Sequence, residues 1–120
     1  MKVTELRINN WVQFKHTETP VRVILGDFVM AREYKDERLD DYEPIPLTEE
    51  WLVKFGFESD SYQDMYILGW LKINCDKTKG KLELWIENIT GKVVYIEHVH
   101  QLQNLYFALT GEELTLNKQR

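Results

Sequence analysis

Two runs of alternating character, Leu71-Lys72-Ile73-Asn74-Cys75 and Lys81-Leu82-Glu83-Leu84-Trp85-Ile86-Glu87, flank the turn-forming stretch Asp76-Lys77-Thr78-Lys79-Gly80. A period of two puts Leu71, Ile73 and Cys75 on one face of the first strand, opposite Leu82, Leu84 and Ile86 on the second, so the pair predicts a half-buried antiparallel hairpin. Asn88, Thr90 and Gly91 then turn the chain into Lys92-Val93-Val94-Tyr95-Ile96, a third strand of the same meander. An isolated hairpin is marginal in water, so the remaining segments must cover its apolar face.

Helices are available on both sides of this meander. Pro44-Ile45-Pro46 forces extended backbone, and Thr48 then offers an N-cap, with Glu49 and Glu50 in the first turn. Leu47 and Leu52 form a hydrophobic staple, and Gly56 with Phe57 supplies a Schellman ending to a helix of about two turns. Farther on, Val99, Leu102, Leu105, Tyr106 and Leu109 recur at spacings of three and four, an apolar stripe on a second helix closed by Gly111.

The first quarter is β-rich. Leu6-Arg7-Ile8 and Trp11-Val12-Gln13-Phe14 flank Asn9-Asn10, while Val21–Leu25 and Phe28–Ala31 flank Gly26-Asp27, which predicts antiparallel hairpins in an open or barrel-like sheet. The expected fold is α+β in one domain over residues 1–120: a β-rich subregion (1–32), an exposed charged connector (33–46) and an α+β core (47–116) with the last helix packed on the sheet.

With 120 residues, 43% apolar and 12% aromatic, the chain can bury one substantial core. A net charge of -5 opposes phosphate, so nucleic acid is not an expected partner. The Lys72, Lys77, Lys79 and Lys81 group is expected to be a solvated turn. One cysteine gives no disulfide framework, and the N-terminus lacks a signal peptide's apolar stretch. No run suits a membrane span, and the expected location is cytoplasmic.

Candidate chemistry is sparse. His98 and His100 are two apart, a spacing that converges on one ion only on a strand. Because the helical stripe starts at Val99, they are expected at a strand-to-helix junction in a structural role, and no metal or other cofactor is predicted. Cys75 shares the face of Leu71 and Ile73, where a thiol is inert. No GxGxxG, P-loop or GxSxG motif occurs, and no catalytic residue can be named. More informative is the opposite face of the hairpin, where Trp70 and Trp85 are predicted to point outward with Lys72, Asn74, Glu83 and Glu87. Large aromatics on a polar-lined face form either a binding surface or a second core layer.

The stretches Tyr42 to Phe57 (YEPIPLTEEWLVKFGF) and His100 to Leu114 (HQLQNLYFALTGEEL), with the opening ELRINNWV, resemble a family of short uncharacterised proteins of bacterial chromosomes and prophages. Asn9 stands where that family's pattern has glycine. The resemblance carries no catalytic residues; it implies a bacterial cytoplasmic protein of mobile-element ancestry. The expectation is therefore a non-enzymatic binding protein, an accessory or counter-defence factor engaging a host protein through Trp70, Trp85, Lys72 and Glu83. The alternatives are sequestration of a nucleotide-like ligand, for example at a homo-oligomer interface, and binding of single-stranded nucleic acid.

Overall fold

A computed structural model describes residues 6–24, 42–60, 64–78, 80–87 and 90–116. The chain is α+β, with two antiparallel sheets and two helices among the described residues, and neither sheet closes into a barrel. It divides into two compact units: residues 1–46 with 98–112, and residues 47–97 with 113–120.

The first unit holds a three-stranded sheet in the order β2-β1-β3, built from β1 (Trp11–Phe14), β2 (Pro20–Arg22) and β3 (Tyr42–Glu43). The expected pairing of Leu6–Ile8 with Trp11–Phe14 does not form. Asn9 takes the positive φ that its turn requires, at 76°, yet β1 pairs with Pro20–Arg22, Val12 opposite Val21. Proline is tolerated there because it opens an edge strand. The connector expected at 33–46 is also corrected where it is described: Tyr42 and Glu43 pair with β1, and Tyr42 and Ile45 are buried. Its acidic residues hid one aromatic that joins Leu6, Val12 and Val23 in the core of this unit. The hairpin expected around Gly26-Asp27 lies outside the described residues.

Helix α2 (Val99–Thr110) belongs to the same unit and ends at Gly111, whose φ of 74° suits the left-handed cap. It packs against β1 of the N-terminal sheet. Gln103, buried to 1% exposure, makes the decisive join: its Oε1 accepts the Trp11 N–H at 2.7 Å and its Nε2 donates to the Asn9 carbonyl at 3.0 Å. Asn104 Oδ1 accepts from Arg7 Nε and Asn10 Nδ2, both at 2.8 Å. These bonds satisfy the polar groups of a turn that could not otherwise be buried.

The second unit contains α1 (Glu49–Lys54) and a five-stranded meander. The Thr48 hydroxyl accepts the Trp51 N–H at 3.4 Å, and both bonds of the Schellman motif are present, Phe57 N–H to the Leu52 carbonyl and Gly56 N–H to the Val53 carbonyl. Gly56, at φ 97°, is the residue that permits them. The meander runs β4 (Glu58–Asp60), β5 (Met65–Leu68), β6 (Leu71–Asp76), β7 (Glu83–Glu87) and β8 (Val93–Tyr95) in sequential order. It thus adds two strands to the three expected. Register places Cys75 opposite Leu84 and Tyr66 opposite Ile73, and Tyr66, Leu71, Ile73, Cys75 and Leu84 are all buried. Of the predicted apolar face, Leu71, Ile73, Cys75 and Leu84 are buried, whereas Ile86 is half-buried and Leu82, also half-buried, precedes β7.

Candidate functional site

The other face of the five-stranded sheet follows from the same pairings. One cross-strand row runs Asp60, Met65, Asn74, Trp85, Tyr95, each directly opposite the next. The neighbouring row brings Glu58, Ile67 and Lys72 together, with Glu87 beside Val93. Asp76 stands opposite Glu83. Lys72, Glu87, Val93 and Tyr95 are exposed and Trp85 is half-buried, so this face carries an aromatic centre in a predominantly acidic setting. Trp85 and Tyr95 have ring centroids 6.0 Å apart at 51°, the tilted geometry that aromatic quadrupoles favour.

The four residues singled out from sequence separate in the structure. Trp85, Lys72 and Glu83 share the exposed face as expected. Trp70 does not join them: it sits with Gly69 in the tight turn between β5 and β6, 64% exposed. Trp85 pairs with Asn74, four residues along β6 from Trp70, a separation of about 13 Å at the strand repeat. Trp70 is exposed as expected, but strand alternation does not extend through a turn, so the sequence pattern could not show its distance from Trp85. The aromatic that does accompany Trp85 is Tyr95, which the predicted third strand contained but whose register depends on the length of the preceding turn.

Beside Trp85 lies an open cleft of about 340 Å³ lined by Asp64, Asn74, Cys75, Asp76, Thr78 and Trp85. Asp64 and Cys75 also line an adjoining cleft of about 110 Å³ that includes Tyr66 and Lys77. Asp76 Oδ1 accepts both the backbone N–H and the hydroxyl of Thr78, at 2.8 and 2.7 Å, which fixes the start of the β6–β7 turn. Asp64, at φ 50°, closes the β4–β5 connection, and its carbonyl accepts the Cys75 N–H. No sequence signal pointed to Asp64, because β4 (Glu58-Ser59-Asp60) has no apolar alternation from which its hairpin could be recognised.

Next to the clefts, the Tyr66 hydroxyl donates to Glu49 in the first turn of α1, and Lys77 Nζ lies 3.0 Å from the same carboxylate. The Tyr66 hydroxyl and then Lys77 hold the Glu49 carboxyl below its ordinary range. Burial, reinforced by Glu49, pushes the Tyr66 phenol upward, and burial likewise raises the Cys75 thiol. A thiol kept protonated is a poor nucleophile, in line with its position among core residues.

His98 and His100 lie in the first unit at the strand-to-helix junction. His98 forms an isolated bridge with Pro46 and is the N-cap of α2, its N–H donating to Gln101 Oε1 at 3.0 Å. His100 is buried in the first turn. The rings stack with centroids 5.8 Å apart; among the described residues no group of three or more His, Cys, Asp or Glu side chains could hold a metal ion. No helix among the described residues is long and apolar enough to cross a membrane. No family model matches the chain, and no curated protein or solved structure is significantly similar to it.

Proposed function

We propose that the chain is a binding protein that engages another protein through the exposed face of its five-stranded sheet. The observation that carries this reading is the Met65–Asn74–Trp85–Tyr95 row. Large side chains run across four strands there, ending in a Tyr95 that is 56% exposed. Aromatic residues at the centre of a polar face are what protein interfaces use as anchors. The resemblance to chromosomal and prophage proteins makes the partner a host protein and the chain a mobile-element accessory or counter-defence factor.

The 340 Å³ cleft supports a second reading, capture of a small ligand, since its volume falls in the range of such sites. Its charged lining residues are Asp64 and Asp76, and Lys77 lies in the adjoining cleft bonded to Glu49. Carboxylates beside an aromatic wall suit a cation and repel phosphate, which argues against a nucleotide-like ligand and against single-stranded nucleic acid.

The test is photo-cross-linking in bacterial cells, with a benzophenone side chain replacing Tyr95 or, as control, the exposed Glu50 of α1. One stoichiometric protein adduct from position 95 and none from position 50 is expected. Equal, diffuse labelling from both positions overturns the reading.

A further inference from the structure

Strand β8 is an edge of the five-stranded sheet, and all three of its residues are exposed: Val93 43%, Val94 54% and Tyr95 56%. Natural edges are usually blunted by proline, inward charge or a bulge. Val93-Val94-Tyr95 has no proline and no charge, and its β-branched and aromatic side chains favour strand pairing. The direction of its backbone groups follows from one bond: the Ile96 N–H donates to the Leu84 carbonyl at 2.9 Å. In an antiparallel ladder inward and outward groups alternate, so Val94 and Ile96 face β7 while the N–H and C=O of Val93 and Tyr95 point away from the sheet. Among the described residues no backbone partner stands on that side.

Resting on the protein-binding reading above, we infer that β8 accepts an extended, basic segment of the partner as a sixth strand. Charge selects this occupant. Among the described strand residues of the exposed face, β7 presents Glu83 and Glu87 on either side of Trp85, and β6 adds Asp76 beside Lys72. A strand added beside β8 lies about 10 Å from β7 at the usual interstrand spacing. Arginine or lysine side chains from alternate positions of that strand span this distance across Val93 and Tyr95. A head that crosses Val93 reaches the Glu87 carboxylate, and one that crosses Tyr95 lies against the Tyr95 and Trp85 rings, with Glu83 the next residue of β7 on that face. A second copy fits less well, because each chain carries a net charge of -5 and would bring an equally acidic face. This is recognition by strand addition, with main-chain bonds supplying affinity and alternate side chains supplying selectivity.

The experiment is amide hydrogen exchange by NMR on the full chain, alone and with a short peptide of alternating arginine and threonine. A control peptide carries glutamate in place of arginine. The arginine peptide is expected to slow exchange at Val93 and Tyr95 by about tenfold or more while Val94 and Ile96, already bonded to β7, change little. The glutamate peptide is expected to do nothing. Val93→Pro removes an outward N–H at the first position of the strand, and Glu83→Gln with Glu87→Gln removes the charge; both are expected to abolish the protection with the β7 amides unchanged. Binding of the arginine peptide without protection at Val93 and Tyr95 overturns strand addition while leaving the protein-binding reading standing. Protection that appears without peptide and grows with protein concentration overturns it in favour of a second copy, and failure of the arginine peptide to bind overturns it outright.

Discussion

Trp85 and Tyr95 stand directly opposite each other on β7 and β8, their rings 6.0 Å apart, at the exposed end of a row that crosses all five strands of the sheet. Their partial exposure means that stability and binding should respond differently to substitution. Tyr95→Ala is expected to cost about 1 kcal/mol or less in urea unfolding, the range of a cross-strand aromatic pair. The same change is expected to reduce partner cross-linking severely. Unfolding of the variant at ambient temperature would show instead that Tyr95 is a core residue.

Gln103 should behave in the opposite way. Truncation to alanine removes the two hydrogen bonds that tie the Trp11 N–H and the Asn9 carbonyl to α2. A loss of about 1 kcal/mol or more is expected from these two part-buried bonds, measured as a lowered urea midpoint. Gln103→Glu keeps the acceptor for Trp11 but loses the donor to Asn9, so it too is expected to destabilise the chain.

The Glu49–Tyr66 pair predicts pH dependence at both ends of the scale. The folded carboxyl of Glu49 lies below its ordinary 4.5, so the unfolded chain takes up this proton first. The stabilisation it brings is complete above about 4.5 and is lost as the pH falls through the folded value. Tyr66 is displaced upward from 10.0, so its contribution is complete below that pH and is lost as the pH rises toward the folded value. Tyr66→Phe is therefore expected to flatten part of both limbs in urea midpoints measured across pH; unchanged limbs would remove the pair from any role in stability.

Cys75 offers a simple check on the buried face. With its thiol raised by burial, alkylation by iodoacetamide near pH 8 is expected to be at least about tenfold slower in the native chain than in denaturant. Equal rates would mean that the face carrying Leu71, Ile73 and Cys75 is open.

Legibility from sequence followed the range of the interactions involved. Helix α1 was readable because Thr48, Glu49, Leu52, Gly56 and Phe57 act on one another within ten residues, and the β6–β7 hairpin because alternation is a local property. Strand β4 was not, since Glu58-Ser59-Asp60 becomes a strand only by pairing with β5. In α2 the apolar stripe identified the helix but not its buried side. Val99 and Leu102 are buried together with His100 and Gln103, whereas Leu109 is 49% exposed. Hydrophobic periodicity has no means of registering that Gln103 is held inside by two hydrogen bonds. Of the candidate site, the Trp85 side was legible from alternation; the place of Tyr95 and the separation of Trp70 from Trp85 required the register.

The most direct measurement compares the affinity of the arginine–threonine peptide for the wild-type chain, Trp85→Ala and Trp70→Ala by titration calorimetry. Trp85→Ala is expected to weaken binding about tenfold or more, with Trp70→Ala close to wild type despite the greater exposure of Trp70. Loss of binding in Trp70→Ala with Trp85→Ala unaffected would contradict a binding face built on the Trp85–Tyr95 row.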